Sequence, residues 1–178
     1  MPAPPSQPGL PAPLAELVQA SDRFWIPAEL TPENKEVLKY FITGSEKLEQ
    51  YKDRFTILGK ATRSGSLYAL FHSGSDPKEF PVLVMGDEGG ALVLAANVLQ
   101  LMRFWTLGPV YPYVSSMDQS RFQLIQEPAV GRDIKPYCKW LQQHFGLLPL
   151  TGIEQAGKEI IAPAQARHQA AINAIFAA

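Results

Sequence analysis

The sequence predicts a single α+β domain, and three observations carry that prediction. A chain of 178 residues suits one domain able to bury most of the apolar surface that its unfolded form exposes. Hydrophobic residues make up 46% of it and aromatic residues 10%, enough for a packed core. The apolar period is helix-like in the N-terminal part, strand-like over residues 54–95 and helix-like again towards the C-terminus. A meander of about four strands, flanked by N- and C-terminal helices, follows from that order.

Residues 1–13 (MPAPPSQPGLPAP) hold six prolines and few large apolar groups, so they are expected to form a flexible or polyproline-like lead-in to a domain over 14–178. The spacing of Pro2, Pro5 and Pro8 matches the three-residue repeat of a polyproline ligand. Leu14, Leu17 and Val18 then predict a short helix, followed by the aromatic pair Phe24 and Trp25 ahead of Pro27. A second helix is predicted from Thr31 as N-cap and Pro32 as first residue, with Val37, Leu38, Phe41 and Ile42 as its apolar stripe up to Gly44. Leu48 and Tyr51 add a shorter amphipathic turn after Ser45.

Phe55, Ile57 and Leu58 open the strand region, and Arg63-Ser64-Gly65 punctuates it as a hairpin turn. The return strand is LYALFH, the third is FPVLVM, and the fourth is ALVLA after the turn Gly86-Asp87-Glu88-Gly89-Gly90. Asn97 can cap a sheet-covering helix with Val98, Leu101, Met102 and Trp105 on one face, closed by Gly108 and Pro109. Residues 110–114 and 120–126 are expected to give loop and one short helix. Ile134, Tyr137, Cys138, Leu141 and Phe145 return to helical spacing, with Cys138 facing inward. Beyond Thr151, Pro163 is expected to interrupt the chain ahead of an alanine-rich helix from Ala164.

Charge and cysteine content narrow the partners. Sixteen basic residues against 17 acidic ones give a net charge of -1, and no two Lys or Arg residues are adjacent, which argues against tracking a phosphate backbone. Cys138 is the only cysteine, so an internal disulfide and a multi-cysteine metal site are excluded and a reducing, cytoplasmic compartment is expected. The N-terminus lacks the basic and apolar regions of a signal peptide, and no apolar run approaches the ~20 residues that cross a bilayer, so no membrane partner is expected.

Chemistry is poorly represented. Asp87 and Glu88 between glycines could coordinate a cation or divide acid and base roles, but no further series of oxygen ligands follows; a solvated turn, with a role facing a partner, is the alternative. His72, His144 and His168 are scattered without the i, i+4 pair of a metal site. Ser64-Gly65-Ser66 joins two predicted strands rather than forming a strand-to-helix elbow, and Cys138 lies on an apolar helix face where thiols are ordinarily inert. No phosphate-binding glycine motif and no CxxC occurs. No catalytic residue, metal ligand or cofactor is therefore assigned.

One stretch has a family pattern: GSLYALF at 65–71, PVLVMGDEG at 81–89 and LVLAAN at 92–97 leading into a helix. It resembles the SUKH superfamily over about residues 54–105, with a looser echo in Ile26-Pro27 and residues 31–44. The chain departs from that pattern in having Thr43-Gly44 where the first helix often ends in Gly-Gly or Asn-Gly, and in lacking acidic residues after Asn97. The resemblance implies a twisted, mainly antiparallel sheet flanked by helices and no enzymatic activity. It also implies an immunity protein that binds and neutralises a cognate toxin or effector used in competition between bacteria. An adaptor or chaperone for a secreted effector, or a hydrolase without a local motif, are the alternatives. Asp87 and Glu88 suit a basic cleft, and Trp105, Tyr111 and Tyr113 are residue types that anchor interfaces, although Trp105 also suits a core. Monomer and homodimer are both open.

Overall fold

Four consecutive apolar runs form an antiparallel meander, β1 (Phe55–Lys60), β2 (Leu67–Phe71), β3 (Val82–Met85) and β4 (Ala91–Ala95), paired in that order. The computed structural model describes residues 10–31, 35–114 and 121–176. Within it, the sheet expected over 54–95 is present in a single α+β domain flanked by N- and C-terminal helices. The polyproline spacing of Pro2, Pro5 and Pro8, Pro32 as a first helical residue, and Ser120 lie outside the described residues.

Every residue of β2, β3 and β4 is buried, and alternate positions feed two cores. Tyr68, Leu70, Val84 and Leu92 face one core, while Leu67, Ala69, Leu83, Met85 and Val93 face the other. A sheet covered on both faces requires apolar side chains throughout, which is why LYALF, VLVM and ALVLA show no polar alternation. Each large side chain fully buried this way stabilises the fold by roughly 1.5–3 kcal/mol.

The first core is closed by α1 (Ala12–Ala20), by α3 (Val98–Phe104) after α2 (Ser45–Tyr51), and by α4 (Lys135–Phe145). Helix α1 begins at Ala12, two residues ahead of the boundary expected at 14. Pro13 sits in its first turn, where a missing N–H costs nothing, and Leu14 and Leu17 are fully buried. Asn97 caps α3 as expected, its Oδ1 accepting the Gln100 N–H at 3.0 Å.

The second core is closed by Leu38, Ile42 and the C-terminal helix. Here the second predicted helix is corrected: residues Lys35–Tyr40 form a 3₁₀ segment. Val37, Tyr40, Phe41 and Ile42 are poor helix formers, and a stretch this short does not hold an α-helix on propensity alone, so the burial of Leu38 and Ile42 sets the backbone.

Residues 110–114 and 121–126 also correct the sequence reading. Instead of loop and short helix, β5 (Val110–Val114) and β6 (Phe122–Gln126) form a separate antiparallel pair. Val110, Pro112 and Val114 are buried while Tyr111 and Tyr113 are half-buried, the alternation of a strand with one face on a core. The Glu127 N–H donates to the Pro109 carbonyl at 2.8 Å, which fixes the hydrogen-bonding phase of the pair. In that phase Pro112, opposite Leu124, turns its ring nitrogen away from β6, so its missing N–H costs no bond within the pair.

The last correction concerns Pro163, which does not interrupt the chain. Helix α5 (Ile153–Ala156) passes through a π-helical segment, Gly157–Ile161, into α6 (Ala162–Phe176). The Ala162 N–H reaches five residues back to the Gly157 carbonyl, and this widened turn just before Pro163 accommodates a ring that would clash in an α-helix. Ile160 and Ile161 pack in the first core, whereas Ala164, Ile172 and Ile175 pack in the second, so the helix passes from one layer to the other.

Both edges of the meander are covered. At β4 the Gln169 carboxamide accepts the Val93 N–H at 2.7 Å and donates to the Ala91 carbonyl at 3.0 Å, in the place of a neighbouring strand. At β1 the backbone of Glu29 exchanges hydrogen bonds with Lys60. Gly59 permits that approach, because a Cβ there would lie 2.0 Å from the Glu29 carbonyl oxygen. No helix among the described residues is long and apolar enough to cross a membrane.

Candidate partner-binding surface

The acidic turn between β3 and β4 is built on glycines for two different reasons. Gly89 and Gly90 adopt positive φ, and the Gly89 N–H closes the turn onto the Gly86 carbonyl at 2.9 Å. Gly86 itself lies against β5: a Cβ there would stand 2.9 Å from the Val114 Cβ and 2.7 Å from the Gly89 carbonyl. Its lack of a side chain lets the β5–β6 hairpin dock on this end of the sheet.

That docking joins two groups of residues that the sequence keeps far apart. Asp87 and Glu88 are exposed, and Tyr113 donates its hydroxyl to Glu88 Oε2 at 3.1 Å. The Glu88 carboxylate accepting that bond holds the Tyr113 phenol above its ordinary pKa. Asp87 is held from beneath, where Ser66 Oγ, without solvent exposure, donates to Asp87 Oδ1 at 2.7 Å. The Ser66 N–H in turn bonds Thr62 Oγ1 at 3.1 Å, so the β1–β2 and β3–β4 turns are tied together.

Tyr111 belongs to the same exposed end. Its hydroxyl accepts from Arg132 Nη1 at 3.4 Å, and Arg132 also pairs with Glu127 at 3.0 Å and lies 5.5 Å from the centre of the Trp25 ring. A groove of about 200 Å³ runs between Trp25, Tyr111, Arg132, Lys60 and Arg63. The sequence marks Trp25 only as part of an aromatic pair and gives no signal for Arg132, which reaches the site through a turn closed by its own N–H on the Ala129 carbonyl.

Trp105 is removed from the contact set. It is fully buried, with its Nε1–H donating to the Tyr68 hydroxyl at 3.3 Å and its ring edge-on to Tyr68. The Tyr68 phenol is pushed far up by burial. Together these two residues anchor α3 to β2.

The other titratable candidates lie elsewhere. Ser66 precedes β2 and His72 follows it, so Asp87 and His72 stand at opposite ends of that strand. His72 shares a hydrogen bond with Thr56 Oγ1 at 2.9 Å and stacks on Phe80, and burial pushes its pKa down. It borders an apolar cavity of about 760 Å³ lined by Leu70, Phe80, Val98 and Leu99, which does not include Asp87 or Glu88. His144 pairs through Nδ1 with the Trp140 carbonyl at 2.9 Å near the end of α4. Cys138 is half-buried rather than turned into the core, with its thiol 3.9 Å from the Thr106 carbonyl and raised in pKa by burial. Among the described residues no three His, Cys, Asp or Glu side chains are grouped to hold a metal ion.

The surface thus offers paired carboxylates, two tyrosines and a cation stacked on tryptophan at one end of the sheet. No family model, curated protein or solved structure matches the chain, so the meaning of this surface rests on its own chemistry.

Proposed function

We propose that this protein is a non-enzymatic immunity-type protein that binds a cognate bacterial toxin in the cytoplasm and neutralises it. The observation that carries the reading is the Tyr113–Glu88 hydrogen bond, which gathers the acidic turn and the aromatic strand into one exposed surface. Carboxylates there suit charge-assisted pairing with a basic catalytic cleft and speed the encounter, while tyrosines supply rigid contact area at low entropic cost. The resemblance of residues 54–105 to SUKH proteins supplies the class of partner.

Co-expression with the toxin encoded beside this chain tests the reading. Survival is restored by the native sequence, a stoichiometric complex is isolated, and Glu88→Lys, which spares the Ser66–Asp87 bond, weakens protection with circular dichroism unchanged. A bound partner that stays fully active would make the protein an adaptor or chaperone instead. Failure to bind or protect against any such toxin overturns the proposal.

A further inference from the structure

β6 stands out against the meander, both of whose edges are covered. The meander ends on Gln169 at β4 and on Glu29 at β1. By contrast, β6 has β5 on one side and, among the described residues, no strand on the other. Its residues are half-buried or exposed, and Ile125 is 48% exposed on the face shared with Tyr111 and Tyr113. An open strand edge of this kind is a template for another strand.

The hydrogen-bonding phase says which groups are open. Since the Glu127 N–H is spent on Pro109, antiparallel alternation turns the peptide groups of Gln123 and Ile125 towards β5. Those of Phe122, Leu124 and Gln126 point away from it.

We infer that the β6 edge is a homodimer interface, in which two copies pair antiparallel about Leu124 to form one four-stranded sheet β5-β6-β6-β5. Three features choose a second copy as the occupant. First, in this register Leu124 meets Leu124 and Phe122 meets Gln126 of the other copy, so the three outward-facing residues of each strand oppose one another and every open peptide group finds a partner. Second, the flanking charges are complementary: Arg121 of each copy stands opposite Glu127 of the other, whereas a parallel in-register pair would set like charges together. Glu127 keeps its contact with Arg132 in this arrangement and serves both cations. Third, Ile125 gains the aliphatic part of Gln123 from the other copy as a cross-strand neighbour, with Tyr111 already on its other side.

Sedimentation velocity of the full chain over a concentration range, with reductant present to keep Cys138 from cross-linking, tests this inference. The native protein sediments as a dimer. Ile125→Lys places a charge on an already exposed position, and Leu124→Pro removes an N–H that faces outward and leaves the β5 pairing intact. Each raises the dimer dissociation constant about tenfold or more with unchanged circular dichroism. If Leu124→Pro fails to fold, Ile125→Lys decides the question alone. A native protein that stays monomeric at every concentration, or a dimer that a folded variant leaves as tight as before, overturns the assignment. The result does not depend on toxin binding, so either proposal can fail without the other.

Discussion

Ser66, a residue with no solvent exposure, donates its hydroxyl to the exposed carboxylate of Asp87 at 2.7 Å, across 21 residues of sequence. Truncation at the two ends of this bond has unequal costs. Ser66→Ala removes the bond to an exposed carboxylate that can take up water, together with the longer 3.4 Å bond by which Ser66 Oγ accepts the Asp87 N–H, and costs about 1 kcal/mol. Asp87→Ala keeps that backbone bond but leaves the buried Ser66 hydroxyl proton without its acceptor and costs about 1–3 kcal/mol, although the residue removed is the exposed one. Urea unfolding of the two variants checks the order, and equal or reversed losses would show that Ser66 finds another acceptor.

The Gln169 carboxamide closes the β4 edge, and its loss is felt in the sheet more than in the helix. Gln169→Ala leaves the Val93 N–H and the Ala91 carbonyl without partners and destabilises the protein by about 1–3 kcal/mol. Amide exchange at Val93 accelerates while exchange at Leu83, within the sheet, follows global stability. Gln169→Glu keeps an acceptor for Val93 but sets a carboxylate oxygen against the Ala91 carbonyl, so it too is less stable than the native protein.

Trp105 separates stability from recognition. Trp105→Ala creates a cavity in the first core and costs about 3–5 kcal/mol in denaturant unfolding. Tyr68→Phe removes the acceptor for the indole N–H and costs about 1–3 kcal/mol. At temperatures where both variants are folded, partner affinity stays at the native value; a loss of affinity without a loss of structure would return Trp105 to the contact surface.

Burial lowers the pKa of both His72 and His168, so the folded state favours their neutral forms. On acidification the unfolded chain takes up these protons first, near pH 6.5 as ordinary histidines do, roughly. Stability is therefore full above that pH and declines as the pH falls towards the lowered folded values. His72→Gln flattens part of this slope in unfolding curves measured between neutral and mildly acidic pH. A variant with the native slope would remove His72 from the linkage.

The meander was legible because its apolar runs are unbroken and its turns carry their own chemistry, as at Arg63-Ser64-Gly65 and the Gly86 turn. β5 was hidden by Pro112, which argues against a strand unless its ring nitrogen faces away from the partner. The usable signal was the alternation of Val110, Pro112 and Val114 with Tyr111 and Tyr113. Pro163 misled in the same way, since a proline announces a break and a π-segment that absorbs it has no composition of its own. At the candidate surface the acidic turn and the tyrosines were readable as residue types. Their meeting was not, because it depends on how closely Val114 approaches Gly86, a distance set by tertiary packing. Trp105 was ambiguous for a related reason: one helical stripe cannot say whether its last residue continues into the core or turns out of it.

The π-segment at Gly157–Ile161 is, in effect, one residue of slack in the C-terminal helix. A deletion inside this wide turn restores α-helical spacing and keeps the phase beyond it. An α-helix advances about 100° per residue, so deleting one from the regular turns between Ala162 and Gln169 would instead roll everything beyond by nearly a third of a turn. Gln169 would swing away from the β4 edge, and Ile172 and Ile175 would leave the second core together. The segment thus acts as a phase adjuster, and a single-residue deletion is tolerated better there than in the regular helix on either side of it.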